Sequence, residues 1–273
     1  MKIASFRFEY EVLEELDLIN QPRSQIYRWI RGSSYRLNCI VPKTPCRDCV
    51  ILSGCSHTLL FEPALRFSTD RSEYASLFAF APPERRRFSK GESLTIPVTL
   101  IEEAVYLLPM LLVMMGEMAE RKLHLKRVFA RKASEKTLIY DGVLRNEMFI
   151  VDISELLTLK PHTEEVRLRF ISPPILEGRM EISVPPMYIQ IPMLIDGILN
   201  RLGALMEVKG KQPDFSLDTL LDLTQRAKGF PGESEDELML RNVEQLIPLL
   251  TVGEWIQIGK HVERGFGKYE IIS

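Results

Sequence analysis

Apolar and polar positions along the chain define its elements before any other property is considered. Near the start, Ile3, Phe6, Phe8 and Tyr10 stand among polar neighbours, which predicts a strand over residues 2–10. Residues 23–37 follow a helical period, with Ile26, Ile30 and Leu37 near one face and Arg28 and Arg31 on the other side. A loop rich in cysteine and proline runs from Cys39 to Cys55, and Thr58–Phe67 then reads as a strand. Leu94, Ile96 and Val98 alternate within a strand over 91–100. The apolar stretch 101–118 predicts a helix bent at Pro109, followed by basic strands at 125–132 and 137–144. The resulting β-α-β-β-α-β order is the ferredoxin-like (RRM-like) arrangement.

Residues 145–164 lack periodicity and are expected to connect two units, 1–160 and 161–273. The second unit opens with a strand at 166–171, stopped by Pro173 and Pro174. Helices are expected at 191–206, 215–228 and 238–250, with a polar loop at 229–237. Strands at 254–259 and 268–272 close the chain. The fold class is therefore α+β, with two tandem ferredoxin-like domains.

Composition sharpens this picture only in places. The 273 residues suffice for two small domains, and 45% hydrophobic with 26% charged residues is ordinary for a globular protein. The run Ala104–Met115 contains Pro109 and is shorter than the roughly 20 residues that span a bilayer. The segment Met1–Phe6 lacks the apolar core of a signal peptide, so the cytoplasm is expected. The net charge of −2 argues against nucleic acid, but its distribution argues for it. Residues 21–49 carry Arg23, Arg28, Arg31, Arg36, Lys43 and Arg47 against Asp48 alone. Residues 121–136 are similarly basic, while acidic groups gather in Glu9–Asp17 and Glu233–Glu237. A segregated basic face can bind phosphates on an acidic chain.

All four cysteines, Cys39, Cys46, Cys49 and Cys55, fall in one short stretch, and Cys46 and Cys49 have the two-residue spacing of a zinc knuckle. A structural Zn²⁺ is expected on these four thiols, with His57 able to replace one of them. Such a metal would have no open position for water.

The segment Gly253–Ile271 is the most specific in the chain. Gly259, Gly265 and Gly267 sit with Lys260, Arg264 and Lys268 between two strand signals. Glycine lets backbone approach a phosphate, and free N–H groups in such a loop can cradle an anion. A long hairpin with left-handed glycines fits the same pattern.

Gly259-Lys260, a short spacer and Gly265-Phe266-Gly267-Lys268-Tyr269 resemble the glycine-rich signature that ends CRISPR repeat-processing endoribonucleases of the RAMP superfamily. The cysteine block followed by Leu60-Phe61-Glu62-Pro63 is similar to a cysteine-bearing branch of that family, and Arg169–Pro174 to the opening of its second domain. The spacer His261-Val262-Glu263-Arg264 departs from the usual small, hydroxylated run. No β-hairpin is evident before the glycine-rich end, where relatives use one against an RNA stem.

The resemblance implies two ferredoxin-like domains and metal-independent cleavage within repeat RNA. The products would carry 2′,3′-cyclic phosphate and 5′-hydroxyl ends. It places RNA against Arg28, Arg31, Gly259, Lys260, Arg264, Gly265, Gly267 and Lys268. His57 is the expected catalytic histidine, the one in the part of the chain where relatives keep their catalytic group. His261 is the second candidate histidine, and Tyr27, Tyr35 and Lys43 remain open. The alternative is a non-catalytic RAMP subunit holding guide RNA among other CRISPR effector subunits.

Overall fold

The N-terminal apolar positions form the central strand of a six-stranded sheet in this computed structural model. It describes residues 1–67, 69–119, 121–132, 135–145, 149–158, 165–176, 184–211 and 223–272. Strand β1 (Lys2–Val12) buries Phe6, Phe8, Tyr10 and Val12 on one face and turns Arg7, Glu9 and Glu11 to the other. After β1 the chain forms helix α1 (Pro22–Asn38), helix α2 (Ser56–Phe61), strand β2 (Phe78–Phe80) and strand β3 (Ser93–Ile101). Helix α3 (Leu108–Gly116) and strands β4 (Leu123–Lys132) and β5 (Glu135–Tyr140) follow. The sheet runs β2-β3-β1-β4-β5, with the short strand Val151–Asp152 as its sixth, paired to the start of β1; all pairs are antiparallel, and Phe8 lies opposite both Ile96 and Val128. Ile26 and Ile30 of α1 and Leu111 and Met114 of α3 share one core with Phe6 and Phe8.

The β-α-β-β-α-β order is present, but its second strand is not the expected one. Thr58–Phe67 is helical, and Phe78–Phe80 supplies the strand. His57 to Phe61 are all buried, so no alternation separates strand from helix there. Pro63 then opens a further helical turn, a position where its missing N–H costs nothing.

The second domain repeats the plan. Strand β6 (Glu165–Phe170), helix α4 (Ile191–Val208), strands β7 (Lys228–Pro231) and β8 (Glu237–Arg241), helix α5 (Ile247–Ile256) and strand β9 (Tyr269–Ile272) follow in order. Their sheet runs β7-β8-β6-β9, again antiparallel. The chain is thus a tandem of ferredoxin-like domains.

Three expectations for this half are corrected. The polar segment 229–237 belongs to the β7–β8 hairpin, so the hairpin thought missing is present. The run 238–250 is not one helix. Leu238 and Leu240 bury with the period of a strand, and the helix begins only at Ile247 with Pro248 behind it. The expected strand 254–259 is helical through Ile256. Gly253 permits this helix to lie close to β9, since a Cβ there would sit 2.4 Å from the Tyr269 hydroxyl. Most of the expected helix 215–228 and the boundary between 160 and 161 lie outside the described residues, and Lys228 itself begins β7.

The two domains share packing. Leu202 and Leu205 of α4 and Trp255 and Ile256 of α5 lie in the first domain's core cluster. Among the described residues no helix is long and apolar enough to cross a membrane.

Candidate nucleic-acid interface

The glycine-rich loop between α5 and β9 is built from left-handed backbone at Gln257, Gly259, His261, Gly265 and Gly267. These turns aim its N–H groups at the protein itself. Lys260 N donates to Ile175 O at 2.9 Å, His261 N to Glu73 O at 3.2 Å, and Gly267 N to Pro173 O at 3.2 Å. Gly259 N, Arg264 N and Gly265 N are also spent on carbonyls. These six N–H groups are therefore not the open phosphate cradle that the glycines suggested. Gly259 and Gly267 serve close packing, their Cβ positions lying 2.3 Å from Ile175 O and 1.9 Å from Ile258 O. Contact with an anion falls to side chains.

Those side chains meet at the seam between the loop and α1. The Arg23 guanidinium lies 4.0 Å from the centre of the Phe266 ring, a cation–π contact that ties the helix start to the loop. A Cβ at Gly265 would lie 2.9 Å from the Phe80 ring, so glycine lets the loop pack on β2. One turn further, Tyr27 is half-buried, and burial raises its pKa. It feels Arg31 and Glu62 as well as Glu263 and Arg264, which makes these residues one charged strip. Arg31 pairs with Glu62 at 2.5 Å. Beside the seam, a groove of about 550 Å³ is lined by Gln21, Arg23, Pro83, Arg86, Ser172 and Phe266.

The residues expected to touch RNA divide accordingly. Arg28 and Arg264 are exposed and Arg31 is half-exposed. Lys260 pairs with Glu73 at 2.6 Å and stands over the Tyr74 ring. Lys268 is buried, donates to Glu254 O at 2.6 Å, and burial pulls its pKa down to about 8. It is not part of the exposed strip. Two cations of the basic run 121–136 are answered by the acidic side of β1, through Arg127–Glu9 at 3.0 Å and Lys126–Glu11 at 2.9 Å. Sequence reading did not single out Arg23, Arg86 or Glu263 for the site. Their common signal is proximity to Pro22 and to the loop, which only the fold brings together.

His57 is only 1% exposed, on α2 beneath α1. Its Nδ1 lies 3.0 Å from Ser34 Oγ, and its ring packs edge-on to Tyr35 and against Phe61. Nε2 is buried without a partner among the described residues. Burial, with Arg31 nearby, drops its pKa to about 4, so the imidazole is neutral at pH 7. Tyr35 donates its hydroxyl to Pro42 O at 2.7 Å.

The four cysteines are free thiols of intermediate exposure. Burial, Glu62 and Cys55 push the Cys46 thiol up, and Cys39 adds to this, so three of the four lie within electrostatic range. The donor chemistry suits zinc. The arrangement does not close a shell: among the described residues, no group of three or more His, Cys, Asp or Glu is set to hold a metal ion.

A family profile described as an N-terminal domain, AF_1859_N, matches residues 1–147, and the profile for CRISPR-associated endoribonuclease Cas6 matches residues 168–269. The part of the chain that carries the second domain and the glycine-rich loop thus matches the Cas6 family. Solved structures agree with this fold along the whole chain. A Cas6 product complex superposes with a TM-score of 0.57 at 14% identity, covering 99% of each chain. A Cas6 substrate-mimic complex gives 0.53 at 13% identity with full coverage of both chains. A partial Cas6-RT-Cas1–Cas2 complex gives 0.60 at 11% identity, covering 99% of this chain and 46% of the other. A search of curated proteins finds no match. The seam of α1 with the glycine-rich loop lies where the two matched regions meet in space.

Proposed function

We propose that this chain cuts CRISPR repeat RNA by metal-independent transesterification. The RNA 2′-hydroxyl attacks the adjacent phosphate, the bond to the 5′-oxygen breaks, and a 2′,3′-cyclic phosphate and a 5′-hydroxyl result. The supporting observation is the charged strip of Tyr27, Arg31, Glu263 and Arg264, with Arg23 beside it, at the domain seam of a Cas6 fold. Arg28, Arg31, Lys260 and Arg264 supply positive charge for the backbone and for the charge that grows on the phosphorane. Lys260 and Arg31 reach phosphate by exchanging Glu73 and Glu62 for it. The bases themselves have the groove beside Arg23 and Phe266 to lie in.

His57 is the proposed base. Its neutral imidazole accepts a proton at pH 7, and the unpartnered Nε2 is the nitrogen that would do so. Access to it requires the side chains that enclose the ring to move. Incubating the purified protein with its repeat RNA in EDTA tests the reading: a single cut with a cyclic-phosphate end is expected. His57→Ala should slow single-turnover cleavage by roughly 10²- to 10⁴-fold with RNA affinity preserved. Charge reversal at Lys260 and Arg264 should instead weaken binding and flatten its salt dependence by about one unit of slope per lost phosphate contact. The enclosure of His57 also favours a second reading, a non-catalytic subunit holding guide RNA with other effector proteins. Tight binding without any cut would select it.

The cysteine segment is proposed to hold a structural zinc through Cys39, Cys46, Cys49 and Cys55, on the strength of its donors and their spacing. The expected result is about one zinc per chain by metal analysis and a lower melting temperature after chelation, because a structural site contributes folding free energy. Zinc-free native protein whose melting is indifferent to chelator would remove the metal from this picture.

A further inference from the structure

The proposed reaction needs two proton transfers, one from the 2′-hydroxyl and one to the departing 5′-oxygen, and His57 supplies at most the first. We infer that His261, held from behind by Glu263 on the glycine-rich loop, is the proton donor to the leaving 5′-oxygen. The inference rests on the reading above. It is carried by features gathered on three neighbouring residues, His261, Glu263 and Arg264.

His261 is partly exposed at the seam, with 18% of its side chain in solvent, whereas His57 is enclosed. Its Nδ1 faces Glu263 Oε1 at 3.4 Å, so Nε2 is the ring nitrogen that Glu263 does not engage. The Glu263 side chain is only 3% exposed, and its Oε2 is buried with no partner among the described residues. A buried carboxylate oxygen left bare is costly, so a fold that keeps one has a use for the charge. Finally, His261 sits at φ 57°, a left-handed conformation that a β-carbon residue adopts at a cost. Arg264 Nε lies 3.5 Å from the same Glu263 oxygen, so an exposed guanidinium stands next to the imidazole.

These parts form a working set. The carboxylate fixes the orientation of the ring, as a carboxylate behind a histidine does generally. As the phosphorus–2′-oxygen bond forms and the phosphorus–5′-oxygen bond breaks, the leaving oxygen takes the proton from His261 Nε2. His261 is left neutral, and the 2′-hydroxyl proton stays with the base. Glu263 is a positioning residue here, not a catalytic one. Its competing role is electrostatic, since it also offsets the charge of the buried Arg201.

The backbone at 261 suggests a discriminating variant. Glycine tolerates a left-handed φ, so His261→Gly removes the imidazole without straining the loop. The expected result is unchanged melting and RNA affinity, with single-turnover cleavage slowed by roughly 10²- to 10⁴-fold. Added imidazole should restore a measurable part of the rate to His261→Gly and nothing to the wild type. Glu263→Gln should slow the same step about tenfold, as loss of a partner orienting a histidine does, without imidazole rescue. Cleavage by His261→Gly at the wild-type rate overturns the inference while leaving the ribonuclease reading intact. A fall in melting temperature for Glu263→Gln with an unchanged rate reduces Glu263 to a counter-charge of Arg201. A wild-type protein that never cuts repeat RNA overturns both readings together.

Discussion

Gly267→Ala should lower stability by roughly 2–5 kcal/mol, the sum of about 1–2 for a left-handed backbone and 1–3 for overpacking. Gly267 holds φ at +75°, and a Cβ there would meet Ile258 O at 1.9 Å and Ile258 C at 2.9 Å. The contact is backbone against backbone, so no side-chain rotation relieves it. It also lies on a structural clasp, because Ile258 N donates to Gly267 O at 3.0 Å and Gly267 N to Pro173 O at 3.2 Å. Pushing these segments apart loosens the seat of the whole glycine-rich loop. Thermal unfolding of Gly267→Ala against Gly91→Ala gives the comparison. Gly91 also has a left-handed φ of +87°, but nothing lies within 4 Å of its Cβ position. Gly91→Ala carries the backbone cost alone, and Gly267→Ala should melt several degrees lower still. Equal melting of the two would show that the clasp yields.

That expected difference also marks what the sequence could and could not say about this loop. The glycines, their spacing and their strand on the C-terminal side are legible, because only glycine accepts such backbone at no cost. Their partners are not. Gly267 packs on Ile258, Gly259 on Ile175 and Gly265 on Phe80, contacts across the loop or between distant segments. For the same reason Lys268 reads as a surface cation and is a buried one. Its position next to Tyr269 in β9 decides this, and its Nζ finds Glu254 O.

The first domain is more legible than the second for a physical reason. β1 and β3 each have one buried and one open face, so period-two alternation survives in Phe6, Phe8 and Tyr10 and in Leu94, Ile96 and Val98. The stretch from Val252 to Ile258 is buried continuously, so its alternation of glycine, acid and tryptophan carries no facing information. The hairpin escaped detection because its turn is acidic. Glu233, Glu235 and Asp236 read as a solvated loop and hide four-residue and five-residue strands. His57 meets α1 through its Nδ1, 3.0 Å from Ser34 Oγ. Its enclosure depends on Tyr35 and Phe61 folding over it, which no local pattern encodes.

Arg201→Met should destabilise the protein by about 3–5 kcal/mol, the range for breaking a buried polar constellation by removing one member. Arg201 is fully buried in α4, and burial lowers its pKa to about 9, with Glu263 acting against that drop. Its guanidinium donates to Tyr74 O, to Ser76 O at 2.5 Å and to Ile256 O at 3.4 Å. The first two acceptors belong to the segment before β2, and the third to the end of α5. One side chain therefore pins the second domain's helices to the first domain. Replacing buried ion pairs by apolar residues is sometimes harmless, because both partners go. Here the partners are backbone carbonyls that stay behind, and each buried acceptor left bare costs about 1–3 kcal/mol. Arg201→Lys should recover little, since an ammonium cannot match the planar fork that reaches separate carbonyls. Urea unfolding is the measurement, with calorimetry to see whether one transition splits into two as the domains uncouple. A midpoint unchanged in Arg201→Met would mean that packing of Leu202, Leu205 and Trp255 holds the seam without the arginine.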